Sequence, residues 1–478
     1  MPKGEALPKL HSPPSKLQNQ KEITMKPFSF YLITDPHYFK NSLGARGEAY
    51  DDFMRYEQKC FAETQSINEA VFDYLEGANE ADTLLIAGDL SFNGEKESHI
   101  EFIKHLNKLR ESGKKIYVVT ADHDFKESRE DCFCIDEEGW HHPENTPRAE
   151  LFDMYYEFGF KDAIAVDKQH LSYVAQVADG VRLLALNNDG PEGGGRFFDD
   201  KQLEWIKEQC QKAKDDGQMM FAMNHYPLIP GQPILSVVKT SYQKHSYDVL
   251  TLLADMGVHL VFTGHMHNQS INVMQTEKGN KIYDVCTGSI IADPSVIRHV
   301  TIESEDTVDI KTIPAPDFDW DTQGKTCTQY LKDLFDNMIL NTLGDMATDP
   351  ERVMRKLGMG DKKKMKPIIK LVGKRLNKVT IGHLCRVLWI KCDKSIRKKK
   401  LKTFAADLVR QVFEGNQSFK EGTPEGDVFL KFIKKIRFAL KKINAKGYDG
   451  KPVDIYEALK NSAGNYDIDD YNAVLKLK

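Results

Sequence analysis

Val261-Phe262-Thr263-Gly264-His265-Met266-His267 decides how the chain is to be read. An apolar run with the character of a buried strand stops at Gly264, and two imidazoles follow, one residue apart. Alternate side chains of an extended segment project to one side, so His265 and His267 can face a common site as the backbone leaves the sheet. Gly264 permits a sharp exit without a Cβ penalty. Taken alone, a His-x-His pair is as compatible with a solvated or hydrogen-bonded turn as with a metal site. Four other loops bear on that choice.

Each of them ends a strand-like run. Residues 28–34 stop at Asp35-Pro36-His37, where Pro removes a ladder donor. Residues 83–87 close at Gly88-Asp89, and residues 115–120 lead into Ala121-Asp122-His123-Asp124. Residues 219–223 lead into Asn224-His225-Tyr226-Pro227. Turn chemistry explains any one of these loops. Five in succession, all with oxygen or imidazole donors, indicate a site at the strand ends, where α/β sheets collect ligands. Imidazole mixed with carboxylate suits Mn, Fe or Zn, whereas calcium takes oxygen ligands. Asp35, His37, Asp89, Asp122, His225, His265 and His267 exceed the needs of one tetrahedral ion and suit two divalent ions that share a carboxylate.

The intervening sequence reads as alternating helices and strands. Apolar spacing predicts helices over 56–76, 95–112 and 202–214, with Gly113 capping the second. Residues 129–150 read as loop, and a strand at 181–186 leads to a Gly-rich turn at 193–195. Further strands are expected over 281–286 and within 296–312. Beyond Pro314-Ala315-Pro316-Asp317 only helical spacing remains, over 330–343, 365–388, 400–413 and 427–443, with Lys-rich outer faces. The expected organisation is a disordered tail (1–25), an α/β catalytic domain (26–320) and an all-α C-terminal domain (321–478).

Length and composition fit this division. The chain has 478 residues, 41% of them hydrophobic and 29% charged, as in an ordinary globular protein with ample core. The net charge of −5 conceals an asymmetry. Residues 326–478 carry 33 basic and 18 acidic groups, whereas the remainder carries 33 basic and 53 acidic groups. No apolar run reaches the roughly 18 residues of a membrane span, and the first 25 residues lack a secretory apolar core. The eight cysteines show no disulfide-framework spacing; a cytoplasmic location is expected. The basic stretch 428–443 reads as a bundle helix rather than a membrane or nucleic-acid surface, and the helical domain offers a route to a homo-oligomer. His99, Asn93 and Tyr226 read as packing or capping residues ahead of substrate contacts, and His141-His142 as loop surface.

The ordered motifs D-x-H, G-D, H-D, H-x-P and G-H-x-H, over about residues 28–300, resemble the calcineurin-like metallophosphoesterase superfamily. The stretch Gly88-Asp89-Leu90-Ser91-Phe92-Asn93-Gly94-Glu95-Lys96-Glu97-Ser98-His99 further resembles bacterial class III cyclic nucleotide phosphodiesterases, some of which carry a helical C-terminal extension. The resemblance implies a four-layer αββα sandwich of two mixed sheets. It implies one metal held by Asp35, His37 and His267, a bridging Asp89, and a second metal completed by Asp122, His225 and His265. A hydroxide bridging the metals would attack the phosphorus of a small phosphoester, and His123 would protonate the leaving oxygen.

Two positions depart from the family pattern. Asp122 stands where the family has Asn, which adds one negative charge and favours singly charged diesters over dianionic monoesters. Phe92 stands where many relatives place the Asp that orients the catalytic His, leaving the partner of His123 open, with Asn93 one candidate. The expected function is therefore a phosphodiesterase, with cyclic nucleotides a candidate substrate class. The alternatives are a phosphomonoesterase or nucleotidase, or a catalytically weak metal-containing binding module.

Overall fold

Phe30 shows how two sheets meet. Its ring stacks on Phe221 at 5.4 Å and meets the edge of Phe262 at 5.3 Å, all three fully buried. The computed structural model describes residues 25–190, 197–237, 245–356, 365–416, 419–463 and 468–478. The expected tail through residue 24 and the turn at 193–195 lie outside the described residues.

In chain order the strands begin with β1 (Phe28–Ile33), β2 (Thr83–Ala87), β3 (Lys115–Val119), β4 (Cys134–Asp136) and β5 (Gly139–His141). They continue with β6 (Ala163–Asp167), β7 (Ser172–Ala178), β8 (Val181–Leu186), β9 (Met219–Asn224) and β10 (Leu260–Thr263). The last are β11 (Ser270–Gln275), β12 (Lys281–Cys286), β13 (Val296–Ser304), β14 (Thr307–Pro314) and β15 (Ala473–Lys476). One sheet has the order β15-β14-β13-β1-β2-β3 and the other β11-β12-β10-β9-β8-β7-β6. Both are mixed: β1, β2 and β3 run parallel while β13 opposes β1, and β8, β9, β10 and β12 run parallel while β7 and β11 oppose their neighbours.

Strand alternation builds the layers. On β10, Leu260 and Phe262 enter the core between the sheets, while Val261 faces the helices behind. The helices Thr64–Gly77 and Lys96–Glu111 bury Ile67, Val71, Phe102 and Leu106 against the first sheet. Asp200–Asp215 and Ser246–Asp255 bury Ile206, Cys210, Val249 and Leu253 against the second. The result is the expected helix–sheet–sheet–helix sandwich, followed by a helical C-terminal region.

Local structure departs from the periodicity in four places. The helix expected from residue 56 begins only at Thr64, because Cys60 and Phe61 are drawn into the core as an irregular segment whose Cys60 N–H donates to the Ile291 carbonyl. Residues 129–150 contain the β4–β5 hairpin. The helical stretch 365–388 divides into Lys366–Lys378 and Ile381–Leu388, with Thr380 capping the second through the His383 amide. The stretch 427–443 divides at Ile436, after Pro424–Lys435. Val428 and Ile433 are core, as expected of a bundle helix, but Phe438 is exposed.

The chain end returns to the first sheet, where β15 pairs antiparallel with β14. The buried Arg298 of β13 secures that return. Its guanidinium donates to the Asp470 carbonyl at 3.0 Å, Thr287 Oγ1 at 2.9 Å and Gln269 Oε1 at 3.1 Å. No described helix is long and apolar enough to cross a membrane.

Candidate metal centre

The C-terminal ends of β1, β2, β3, β9 and β10 converge on one edge of the sandwich, and every donor singled out from sequence lies there. They fall into two groups. Asp89, Asp122, His225 and His265 form one, and Asp35, His37 and His267 the other, with the donor atoms of each group within 4.8 Å of one another. Asp89 also joins the groups, since its Oδ2 lies 3.2 Å from His225 Nε2 and 3.5 Å from His37 Nε2. Asp35 Oδ1 lies 3.2 Å from His267 Nε2 and 3.8 Å from His225 Nε2.

The backbone is bent into place to achieve this. Asp35, His37, Asp89, His265 and His267 all have φ between 38° and 62°, the left-handed region that non-glycine residues rarely adopt. Such strain clusters at functional sites and costs of order 1–3 kcal/mol each. Main-chain bonds hold the loops together: Asp35 N–H to Gly88 O, His37 N–H to Asp89 O, and Gly264 N–H to His225 O. Two glycines are steric necessities. A Cβ on Gly88 would lie 2.4 Å from His225 Nδ1, and one on Gly264 would lie 2.4 Å from Asp35 Oδ2. Behind β9 and β10 the buried Asp284 fixes both loops, accepting from Leu228 N–H, Ile229 N–H and Thr263 Oγ1 at 2.6–2.8 Å. Burial raises its carboxyl to about 6.

The histidines are oriented as metal ligands require. His225 Nδ1 donates to the Ala87 carbonyl at 2.7 Å and His37 Nδ1 to the Ser91 carbonyl at 3.3 Å, which turns both Nε2 atoms into the site. His225 Nε2 and His267 Nδ1 are buried without a hydrogen-bond partner. His37 Nε2 and His267 Nε2 face each other at 3.2 Å, a separation that two ligands of one ion adopt. Burial opposes charge on His225, but Asp89 and Asp35 outweigh it and push the imidazole up to about 10. His37 moves the other way, well down, through burial and the nearby Lys59 charge. The donor set fits divalent metal.

The family described as calcineurin-like phosphoesterase matches residues 28–269, just over half of the chain. The chain belongs to the calcineurin-like phosphoesterase family. As such it is a phosphoester hydrolase with a dinuclear divalent metal centre. No curated protein matches the sequence. Among solved structures, a dimetal phosphatase from Danio rerio is 15% identical, with a TM-score of 0.42, covering 60% of this chain and 99% of that one. A purple acid phosphatase from yellow lupin seeds is 12% identical, with a TM-score of 0.39, covering 61% of this chain and 52% of that one. An NAD nucleotidase from Haemophilus influenzae is 12% identical, with a TM-score of 0.33, covering 74% and 62%.

Both departures of this calcineurin-like phosphoesterase from its family have structural consequences. Asp122 lies in the first donor group, with Tyr226 Oη 2.9 Å from its Oδ1 and 2.6 Å from Asp189 Oδ1. The partner of His123 is the backbone of Phe92: Nδ1 donates to its carbonyl at 2.7 Å. Asn93 points elsewhere, donating to the Asp131 carbonyl. Desolvation, followed by the Lys59 charge, lowers His123 to about 4. Lys59 itself has no counterpart among the residues expected from sequence, because it lies in the irregular segment that helical periodicity conceals.

Asn93, His99, His141 and His142 are all engaged by groups of the fold. His99 is buried, bonded to Tyr155 Oη and to the Asp124 carbonyl. His141 pairs with Asp136, and His142 donates to the Cys132 carbonyl. Tyr226 packs at the site, with its ring 4.7 Å from that of His265.

Proposed function

We propose that the enzyme is a phosphodiesterase acting on singly charged diesters, with a cyclic nucleotide the first substrate to test. The Asp122 carboxylate within the donor set supports this reading. With Asp35 and Asp89 it brings the ligand charge to −3, so two divalent ions leave +1 where an Asn ligand would leave +2. A less electropositive site disfavours dianionic monoesters more than diesters. Asp189, joined to Asp122 through Tyr226, places a further carboxyl behind it. The cyclic nucleotide assignment draws on the resemblance of residues 88–99.

Asp35, His37 and His267 would hold one ion, and Asp122, His225 and His265 the other, with Asp89 shared. Imidazole and carboxylate together suit Mn, Fe or Zn. Bound there, the ions supply Lewis acidity to the phosphoryl oxygens and lower the pKa of water. The protein's own part in the chemistry falls to His123. Its Nδ1–H is committed to the Phe92 carbonyl, so Nε2 is the atom that would take up a proton from water and pass it to the leaving oxygen as water adds to phosphorus and the ester P–O bond breaks.

The test compares the wild type with Asp122→Asn on bis-p-nitrophenyl phosphate, p-nitrophenyl phosphate and cyclic nucleotides, with Mn, Fe and Zn supplied in turn. The wild type should favour diesters, and Asp122→Asn should shift the ratio toward the monoester. An unchanged ratio with unchanged metal content would refute the role given to Asp122.

A further inference from the structure

The loop that sequence periodicity conceals brings a lysine to the mouth of the metal site. Lys59 Nζ lies 3.4 Å from His123 Nε2 and 4.8 Å from the centroid of the Phe92 ring. Among the described residues no carboxylate pairs with it. An ammonium held between an aromatic face and an imidazole nitrogen, with no counter-ion among the described residues, is a cation positioned for an anion that arrives from outside.

Its placement is built into the fold. The residues that follow Lys59 are anchored in the core: Cys60 N–H donates to the Ile291 carbonyl, and Phe61 stacks on Phe92 at 4.0 Å with an interplanar angle of 8°. Phe92 thus does two things at once. Its carbonyl orients His123, and its ring supports both the anchor of the Lys59 loop and the ammonium. The neutral imidazole, with its proton on Nδ1, presents a lone pair at Nε2 that accepts from Lys59 until substrate enters.

We propose that Lys59 is a substrate-binding residue whose ammonium takes a non-bridging oxygen of the phosphoryl group, beside the leaving-group position marked by His123. The proposal rests on the phosphoester-hydrolase reading of the site and adds to it the group that senses substrate charge. Lys59 adds one positive charge outside the ligand set, opposite in sign to the one that Asp122 adds within it. The lysine contributes from the substrate's side, so its benefit grows with the negative charge on the phosphoryl oxygens. Asp122 and Lys59 therefore act in opposite directions on the choice between monoester and diester.

The experiment uses the metal-loaded full chain and three proteins: the wild type, Lys59→Met and Lys59→Arg. Inorganic phosphate binding is measured by calorimetry, together with metal stoichiometry and kcat/KM on p-nitrophenyl phosphate and bis-p-nitrophenyl phosphate. Lys59→Met should keep its metals and bind phosphate about tenfold more weakly or worse, as expected for loss of one charge-assisted hydrogen bond. Lys59→Arg should stay within about threefold of the wild type. Lys59→Met should also lose more kcat/KM on the monoester than on the diester. Equal phosphate affinity in the wild type and Lys59→Met would overturn the proposal, as would equal losses on both substrates, which would reduce Lys59 to a support for His123. A wild type that binds phosphate through Lys59 yet hydrolyses neither ester would refute the hydrolase reading and leave the lysine's role standing.

Discussion

His123 Nδ1 donates a 2.7 Å hydrogen bond to the backbone carbonyl of Phe92, where the motif resemblance implied a carboxylate. A carbonyl fixes the ring and its tautomer but adds no negative charge to favour the imidazolium. Orientation and basicity, coupled in a carboxylate–histidine pair, are separate here.

Replacement of His123 by Gln should therefore lower kcat by roughly 10²–10⁴-fold, the usual contribution of a positioned general acid. Metal content should be unchanged, since His123 belongs to neither donor group. Paired measurement of kcat and bound metal checks this. Loss of metal in the variant would place His123 among the ligands instead.

Gly264 faces the carboxylate of Asp35 with no room for a side chain. Gly264→Ala would bring a Cβ within 2.4 Å of Asp35 Oδ2 and 2.8 Å of Thr34 Cβ, displacing a residue of the first-strand loop. The variant should fold but lose metal affinity. Gly77→Ala, where a Cβ meets nothing within 4 Å, is the matched control and should bind metal normally. Equilibrium dialysis against one chosen metal distinguishes the two.

The positions of these groups were only partly readable from sequence. Five apolar runs that each end in Asp or His announced the site, because parallel strands bring their ends to one edge whatever their separation along the chain. The ring orientations were not announced. They depend on carbonyls of Ala87, Ser91 and Phe92, and backbone acceptors leave no mark on residue type. Nor were the left-handed conformations of Asp35 and His265, which tertiary contacts impose. Lys59 escaped notice because Phe61 sits at a position consistent with the helical stripe of Ile67 and Val71, although its chain is irregular. The strand β15 is four residues long and exists through pairing with β14; no periodicity of its own marks it.

Buried His99 gives the fold a pH dependence away from the metal site. Burial lowers its imidazole to about 4, against about 6.5 when unfolded. Between these values the unfolded chain binds the extra proton, so stability rises with pH across this window and is lost as pH falls through it. The contribution amounts to about 3 kcal/mol when complete. Thermal melts of wild type and His99→Gln from pH 7 to pH 4 should converge toward acid, with the wild type falling more steeply. Parallel curves would show that His99 keeps its ordinary affinity for protons.

Metal stoichiometry tests the centre itself most directly. Full-length protein equilibrated with Mn, Fe or Zn, dialysed and assayed by elemental analysis should retain two ions per chain with at least one of these metals. Asp89→Ala, which removes the carboxylate that links the two groups, should retain fewer. A wild type that holds one ion or none with every metal, or an Asp89→Ala protein that keeps both, would contradict the two-ion centre.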